Sequence, residues 1–196
     1  MVPVWLSTKH FTDYPVYTLY SDDGGWGWHL GERVSENFDE TAIARTSDDG
    51  VIVSSRQFSV PYNDARAMSK PQNASDARRR MARSATGIDG WSQTYAHPDL
   101  IDPGCEGSMT SRTMTDGRHV LLFVNNASVT DRKHLTVRTS LDDGKTWPYS
   151  LLIDEQRAVY SDVALSADGT VYVVHEDAPD EPLCHDLELF RFLLKI

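Results

Sequence analysis

The side chains that most often bind metals or act as nucleophiles are dispersed along this sequence. The seven histidines form no HxH or HExxH pair, and the two cysteines, Cys105 and Cys184, stand in no metal-ligand spacing. We therefore expect surface or hydrogen-bonded histidines and two thiols, buried or exposed, without a chemical role. The pattern predicts no metal site and no cofactor, although acidic turns leave calcium as an alternative.

Charged and aromatic side chains that could act on a substrate lie close to turns. Tyr160 stands in AVYSD, Glu40 in DET, and Arg56 ends the run VIVSSR. Taken singly, such a tyrosine belongs in a core or hairpin, and such charges belong at solvated strand ends. Whether these residues do chemistry therefore depends on the elements that carry them.

These elements are short β-like runs closed by Asp-Gly turns. VIVSSR follows SDDG, HVLLFV follows TDGR, and TVYVVHE follows SADG. Runs rich in Val, Leu and Tyr that alternate with Asp-Gly turns are typical of repeated antiparallel hairpins. Only residues 64–68 suggest a helix, so the sequence predicts an all-β fold.

One turn, SLDDGKTW at residues 140–147, fits the pattern S-x-D-x-G-x-T-W at every fixed position. We expect Asp142 to accept backbone N–H bonds within its own turn and Gly144 to adopt a positive φ. Trp147 is expected to fold back over the turn. These features indicate a hairpin that satisfies its own polar groups, with a structural role on the outside of a propeller blade.

Two weaker copies of this turn precede it. Residues 21–28, SDDGGWGW, lack only the Thr, and residues 84–91, SATGIDGW, keep the Ser and the Trp. The Trp positions recur every 56 to 63 residues, which suits propeller blades of about 40 to 50 residues with loop insertions. The chain thus holds about four blades, whereas a propeller must close to remove its sheet edges. We expect a β-propeller of four-stranded antiparallel blades, with about four of six present and the first blades missing.

Composition narrows the possible partners. The net charge is −10, from 19 basic and 29 acidic residues, and no basic patch with interleaved aromatic residues is visible, so nucleic acid is not expected as a partner. No apolar run approaches the roughly 20 residues that a membrane helix needs. The opening MVPVWLSTKH does not have the pattern of a secretory signal, and the compartment stays undetermined.

The eight-residue turn is the Asp box, also known as the BNR repeat, and the chain resembles the exo-α-sialidase (neuraminidase) family of six-bladed propellers. The resemblance covers residues 3–192. It is strongest in YSDDGGWGWHLGE, NFDETAIARTSDDGVIVSSR, DPGCEGSMTS, FVNNASVTDRKHLTVRTSLDDGKTW and AVYSDVALSADGTVYVVHED.

The resemblance implies hydrolysis of terminal sialic acids from glycoproteins, glycolipids or oligosaccharides with retention at the anomeric carbon. Sialic acid bears a carboxylate on that carbon, which repels an anionic nucleophile, and sialidases use tyrosine instead. Tyr160 matches this nucleophile and Glu40 matches its base. Arg56 and Arg132 match the second and third arginines of a carboxylate clamp. Glu176 matches the acidic residue that orients the first arginine.

One of these assignments, Arg132, and the role of one further residue, Glu106, leave alternatives open. Arg112, Arg118 or Arg138 could replace Arg132 after a slip of one loop, although we expect Arg138 to face outward from its strand. Glu106 in DPGCEG is either a second carboxylate at the substrate or a structural loop residue.

The sequence also departs from the family pattern. The Phe/Tyr-Arg-Ile-Pro segment with the first arginine has no match, and neither does the early aspartic acid that protonates the leaving group; Asp22 and Asp23 belong to an Asp box. We therefore expect the chain alone to be inactive on its sialylated glycan substrate. The alternative is a non-catalytic Asp-box propeller that binds glycans or another protein.

Overall fold

The computed structural model describes residues 1–6, 14–36, 38–57, 77–177 and 186–195. All regular structure in these ranges is β-strand, which confirms the all-β prediction. Within them there is no helix long and apolar enough to cross a membrane. The predicted helical residues 64–68 and Cys184 lie outside the described residues.

Thirteen strands are formed by the described part of the chain. They are β1 (Val2–Trp5), β2 (Val16–Tyr20), β3 (His29–Ser35), β4 (Phe38–Arg45), β5 (Val51–Gln57), β6 (Arg78–Ser84), β7 (Tyr95–Ile101), β8 (Gly107–Thr113), β9 (His119–Asn126), β10 (Lys133–Ser140), β11 (Tyr149–Leu165), β12 (Thr170–Asp177) and β13 (Asp186–Leu193).

Sequential strands pair antiparallel in three sheets: β1 to β3, β4 to β7, and β8 to β13. The last sheet is two blades joined by the long strand β11. Its first part, around Tyr149 to Asp154, pairs with β10, whereas its second part from Ala158 pairs with β12. We name the resulting four blades A (β1–β3), B (β4–β7), C (β8–β10 and the first part of β11) and D (the second part of β11, β12 and β13).

The blades form an arc in which their first strands lie side by side. Strand β4 contacts both β1 and β8, and β8 contacts β11. Blades B and C have four strands each, and the sheets have the propeller arrangement predicted from the sequence. This arrangement matters for function because residues near the ends of β4, β8 and β11 come together although they are far apart in the chain.

Strand β9 shows how the blades pack against each other. Its residues Val120, Leu122 and Val124 belong to the core between blades C and D, whereas Leu121 and Phe123 belong to the core shared with blade B. All five side chains are fully buried, and each contributes about 1.5–3 kcal/mol by burial. A continuous apolar run is therefore required in a strand that has both faces covered.

The Asp-box turn between β10 and β11 has the predicted hydrogen bonds. Asp142 accepts the backbone N–H groups of Lys145 (3.1 Å) and Thr146 (2.9 Å), and the Thr146 hydroxyl donates to it at 2.7 Å. Gly144 has φ of 75°, and Trp147 is buried. Although partial burial opposes it, this set of donors holds the pKa of Asp142 below its usual value. The two weaker copies occupy the equivalent hairpins β2–β3 and β6–β7.

Candidate active site

The described arc brings Tyr160 on β11 into contact with Glu40 on β4. The Tyr160 hydroxyl donates a hydrogen bond to Glu40 Oε1 at 2.5 Å. The second carboxylate oxygen of Glu40 accepts from Arg56 Nη1, also at 2.5 Å. One carboxylate therefore links the tyrosine hydroxyl to a guanidinium group.

A β-bulge places two carboxylates at this guanidinium. The ladder between β4 and β5 shifts register between Phe38 and Thr41, so that Asp39 and Glu40 together oppose Arg56. Bulges re-aim side chains and are frequent beside active sites. Arg56 Nε lies 3.9 Å from Asp39 Oδ1, and both side chains are buried. Although burial opposes it, the two carboxylates raise the pKa of Arg56 above its ordinary value. Burial, partly offset by Arg56, raises the pKa of Asp39 to about 6.

A second bulge lies on the strand that carries the tyrosine. The ladder between β11 and β12 shifts register between Ala158 and Ser161, so that Val159 and Tyr160 together oppose Glu176. The Tyr160 backbone N–H donates to Glu176 Oε2 at 3.3 Å. Glu176 thus holds the backbone of Tyr160 in this structure, in addition to the arginine-orienting role that the resemblance implies.

The environment of Tyr160 keeps its hydroxyl protonated. Partial burial and the hydrogen bond to Glu40 raise the pKa of Tyr160 above its usual value. Tyr160 as a whole is 38% exposed, so the residue is reached by solvent. Arg132 lies with its guanidinium carbon 5.8 Å from the centre of the tyrosine ring. The proton is therefore held between the Tyr160 and Glu40 oxygens, and Arg56 binds the other oxygen of Glu40.

The four arginines considered for the third clamp position occupy different places. Arg132 lies against the tyrosine ring, whereas Arg112 Nε donates to the Leu165 carbonyl at 2.9 Å, and Arg118 pairs with an aspartate in its own exposed turn. The prediction that Arg138 faces outward is wrong. Arg138 is buried and donates to Asn125 Oδ1, because β10 lies between β9 and β11 and both of its faces are covered.

The DPGCEG loop before β8 supports the backbone on both sides of the tyrosine. Glu106 Oε2 accepts the Ser161 N–H at 3.0 Å, and the Cys105 thiol donates to the Val159 carbonyl at 3.3 Å. Burial, opposed by the hydrogen bond from Ser161, raises the pKa of Glu106 to about 7, and burial raises the pKa of Cys105 to about 12. Cys105 is a free buried thiol, as expected. The contact between Glu106 and the Ser161 N–H favours a structural loop role over a second carboxylate at the substrate.

A fully buried arginine ties the two sides of the site together. The Arg79 guanidinium donates to the Ser54 carbonyl (2.9 Å), the Cys105 carbonyl (2.8 Å) and Asp102 Oδ2 (3.2 Å), and it packs over the ring of Phe123. A buried charge needs such partners. Sequence reasoning did not identify Arg79. The signal that could have found it is its central place in an arginine run on a strand, where alternation turns one of three side chains inward.

The site as a whole can transfer a proton and bind an anion. A neutral tyrosine hydroxyl faces a carboxylate that can take its proton. Arg56 binds the other oxygen of that carboxylate, and Arg132 lies against the tyrosine ring. This local charge is opposite in sign to the net charge of −10. The arrangement fits a small anionic substrate attacked by the tyrosine oxygen.

The sequence matches a known family. The profile of the BNR repeat-like domain matches residues 1–173. The sialidase of Micromonospora viridifaciens is 31% identical over 169 residues, which cover 83% of this chain and 24% of that protein. This chain spans about a quarter of the length of the curated relatives that it matches.

Solved structures of sialidases have the same fold. A Hadza microbial sialidase superposes with a TM-score of 0.69 at 24% identity, over 83% of this chain and 30% of that chain. The intramolecular trans-sialidase from Ruminococcus gnavus also gives a TM-score of 0.69, at 17% identity, over 97% of this chain and 42% of that chain. At these identities the similarity concerns the β-propeller fold alone.

Proposed function

Because the chain belongs to the sialidase family, with a BNR repeat-like domain over residues 1–173, we propose that it carries part of an exo-α-sialidase active site. The reaction is hydrolysis of terminal sialic acids from glycoproteins, glycolipids or oligosaccharides with retention of configuration. The observation that carries this proposal is the 2.5 Å hydrogen bond from the Tyr160 hydroxyl to Glu40. The relatives named above do not favour the alternative of a non-catalytic propeller.

In the proposed reaction, Arg56 and Arg132 bind the sugar carboxylate. A guanidinium has five N–H donors, so Arg56 can hold Glu40 and a substrate carboxylate together. The Tyr160 oxygen attacks the anomeric carbon while its proton passes to Glu40, the glycosidic C–O bond breaks, and the aglycone oxygen takes a proton from an acid. Water then attacks the anomeric carbon of the sialyl-tyrosine and gives a proton to the conjugate base of that acid, while the C–O bond to tyrosine breaks and Glu40 returns its proton to the tyrosine oxygen.

We further propose that residues 1–196 form the later four blades of a six-bladed propeller. The sequence has no match for the first arginine or for the acid that protonates the leaving group. General acid catalysis contributes about a hundred- to ten-thousandfold. The chain alone should therefore hydrolyse ordinary sialosides very slowly.

A sialyl fluoride tests whether Tyr160 acts as the nucleophile in the absence of the general acid, because fluoride leaves with little protonation. A second fluorine beside the anomeric carbon slows hydrolysis of the covalent intermediate. Mass spectrometry of digested protein should find one sialyl group on the peptide that contains Tyr160. The Tyr160→Phe variant should stay unlabelled, whereas Tyr172→Phe, which alters another exposed tyrosine on β12, should be labelled normally.

Turnover can be measured in a chimera in which this chain replaces the matching segment of the Micromonospora viridifaciens sialidase. There Tyr160→Phe should lower kcat on a fluorogenic sialoside by at least about a thousandfold with little change in inhibitor binding. Labelling of another residue, or ordinary turnover in the Tyr160→Phe chimera, would exclude Tyr160 as the nucleophile.

A further inference from the structure

Three side chains from three strands meet where β11 passes from blade C to blade D. They are Asp154 on β11, His175 on β12 and Glu188 on β13, and one donor atom of each lies within 4.8 Å of the others. His175 and Glu188 are direct partners in the β12–β13 ladder. Asp154 belongs to the part of β11 that pairs with blade C, so the cluster joins both blades.

His175 distinguishes this cluster from an ordinary group of surface acids. The ring is 1% exposed and stacks on Phe190, with ring centres 5.6 Å apart. Neither ring nitrogen has a hydrogen-bond partner among the described residues, and the same holds for the buried hydroxyl of Ser161 on the neighbouring strand. A buried polar group without a partner costs about 1–3 kcal/mol.

The ring nitrogen Nε2 points at the two carboxylates without hydrogen-bonding to either. It lies 3.6 Å from Glu188 Oε2 and 4.0 Å from Asp154 Oδ2. Both separations are too long for a hydrogen bond. Donor atoms at about 2.0–2.2 Å from a tetrahedral zinc ion lie about 3.3–3.6 Å apart. The Glu188 distance already fits this geometry, and Asp154 needs to approach by about half an ångström.

The donor set also indicates the class of cation. Two carboxylates balance the charge of a dication, and a neutral imidazole favours zinc and its first-row neighbours over calcium or magnesium. The Glu188 side chain is 47% exposed, which gives an ion an entry path and a position for water. The stack on Phe190 fixes the plane of the ring.

We propose that Asp154, His175 and Glu188 bind a divalent transition cation, for which zinc is the natural probe. The ion joins the crossover of β11 to β12 and β13. His175 immediately precedes Glu176, whose carboxylate accepts the Tyr160 N–H, so the ion also fixes a strand that supports the candidate active site. This proposal does not depend on the sialidase activity.

The test is calorimetric titration of the chelator-treated chain with zinc chloride, with cobalt chloride absorption as a spectroscopic reading of the ligand geometry. We expect one ion per chain. Loss of a liganding carboxylate in Glu188→Gln should weaken binding at least as much as loss of an outer partner does, which is about 10- to 100-fold. Glu155→Gln, which alters an exposed carboxylate next to Asp154, is the control and should bind zinc normally.

The alternative is an imidazolium held by two carboxylates without metal. It predicts no saturable zinc binding and no visible cobalt bands, and either result would overturn the proposal. Equal zinc affinity in Glu188→Gln and Glu155→Gln would do the same, and so would tighter binding of calcium than of zinc. Circular dichroism checks the fold of each variant, and Asp154→Asn repeats the test at a second ligand.

Discussion

The Asp-box turn of blade C and the site around Tyr160 are both polar networks built on a carboxylate, but they differ in the chain distance that they span. In the turn, every hydrogen bond made by Asp142 joins residues no more than four positions apart. At the site, Tyr160 and Glu40 are 120 positions apart, and Cys105 and Val159 are 54 apart. The network of Asp142 forms within its own turn, although the neighbouring Asp143 also accepts hydrogen bonds from Ser47 of blade B, 96 positions away. The network of Tyr160 exists only when β4, β8 and β11 lie side by side.

The two regions also differ in strand pairing. The β10–β11 hairpin that the turn closes is regular next to the turn, from Thr136 to Thr139, and shifts register only at its far end, between Lys133 and Thr136. Both strand pairs that carry the site contain a bulge, opposite Arg56 in blade B and opposite Glu176 in blade D. A bulge interrupts alternation and lets two neighbouring residues oppose one partner, so it builds a site where a regular strand would turn one side chain away.

We expect the largest effect from Arg56→Lys, which changes the site and leaves the turn intact. The quantity to measure is the affinity of the chimera for a sialic acid analogue. Lysine keeps the charge but cannot hold Glu40 and a substrate carboxylate with parallel bonds. Loss of a charge-assisted bond costs about 1.5–3 kcal/mol, or about ten- to a hundredfold in affinity. Arg118→Lys, in an exposed turn, should leave affinity unchanged. Equal affinity in both variants would mean that Arg56 does not hold the carboxylate.

We expect a smaller effect from Glu106→Gln, which should change the free energy of unfolding in a way that depends on pH. Burial raises the pKa of Glu106 from 4.5 to about 7, so the folded state holds a proton that the unfolded state has released. The contribution of Glu106 to the free energy of unfolding is therefore fully present below about pH 4.5 and is lost as pH rises through about 7. Glutamine does not ionise. At pH 8 the variant should be more stable than the parent chain by about 1–2 kcal/mol, less than the full shift because glutamine also pays for burial of its amide.

Urea unfolding at pH 4.5 and pH 8 measures this difference. Asp39 also has a raised pKa and gives the parent chain a slope of the same sign, so the comparison between variant and parent is what isolates Glu106. Glu155→Gln, at an exposed position, should show no pH-dependent gain. A Glu106→Gln variant that is less stable than the parent at pH 8 would show that the ionised carboxylate is needed for the Ser161 contact.

The same contrast explains how much of the molecule could be predicted from its sequence. The hydrogen bonds of Asp142 could be derived from eight consecutive residues because their donors are all local. The bonds from Ser47 to Asp143 and from the Trp147 N–H to Asp99 could not.

The roles of Tyr160 and Glu40 were predicted from the family resemblance, since no spacing in the sequence encodes a contact between a residue on β4 and a residue on β11. Arg138 was expected to face outward from its strand, an expectation that fails on a strand with both faces covered, where Asn125 supplies the polar partner. Arg79 was missed although strand alternation indicates one inward side chain among Arg78, Arg79 and Arg80.

The smallest effect should come from Thr146→Val, which changes the local network alone. Valine keeps the shape of threonine and removes one hydroxyl bond to Asp142, while the backbone N–H bonds to that carboxylate remain. One such bond contributes about 0.5–1.5 kcal/mol to the free energy of unfolding, so the loss at neutral pH should be near 1 kcal/mol. Because the pKa of Asp142 is lowered, this contribution should persist from neutral pH down to about 4 and disappear only in stronger acid.

Urea unfolding measures the loss in the free energy of unfolding. The control is Thr115→Val, at an exposed position in another turn, which should change that free energy by no more than about 0.5 kcal/mol. The chimera with Thr146→Val should keep its affinity for the sialic acid analogue, because both hydrogen bonds that Thr146 donates to Asp142 stay within the turn. If Thr146→Val weakened that affinity as much as Arg56→Lys, the turn and the site would be one coupled network. The separation between a local scaffold and a long-range site would then be wrong.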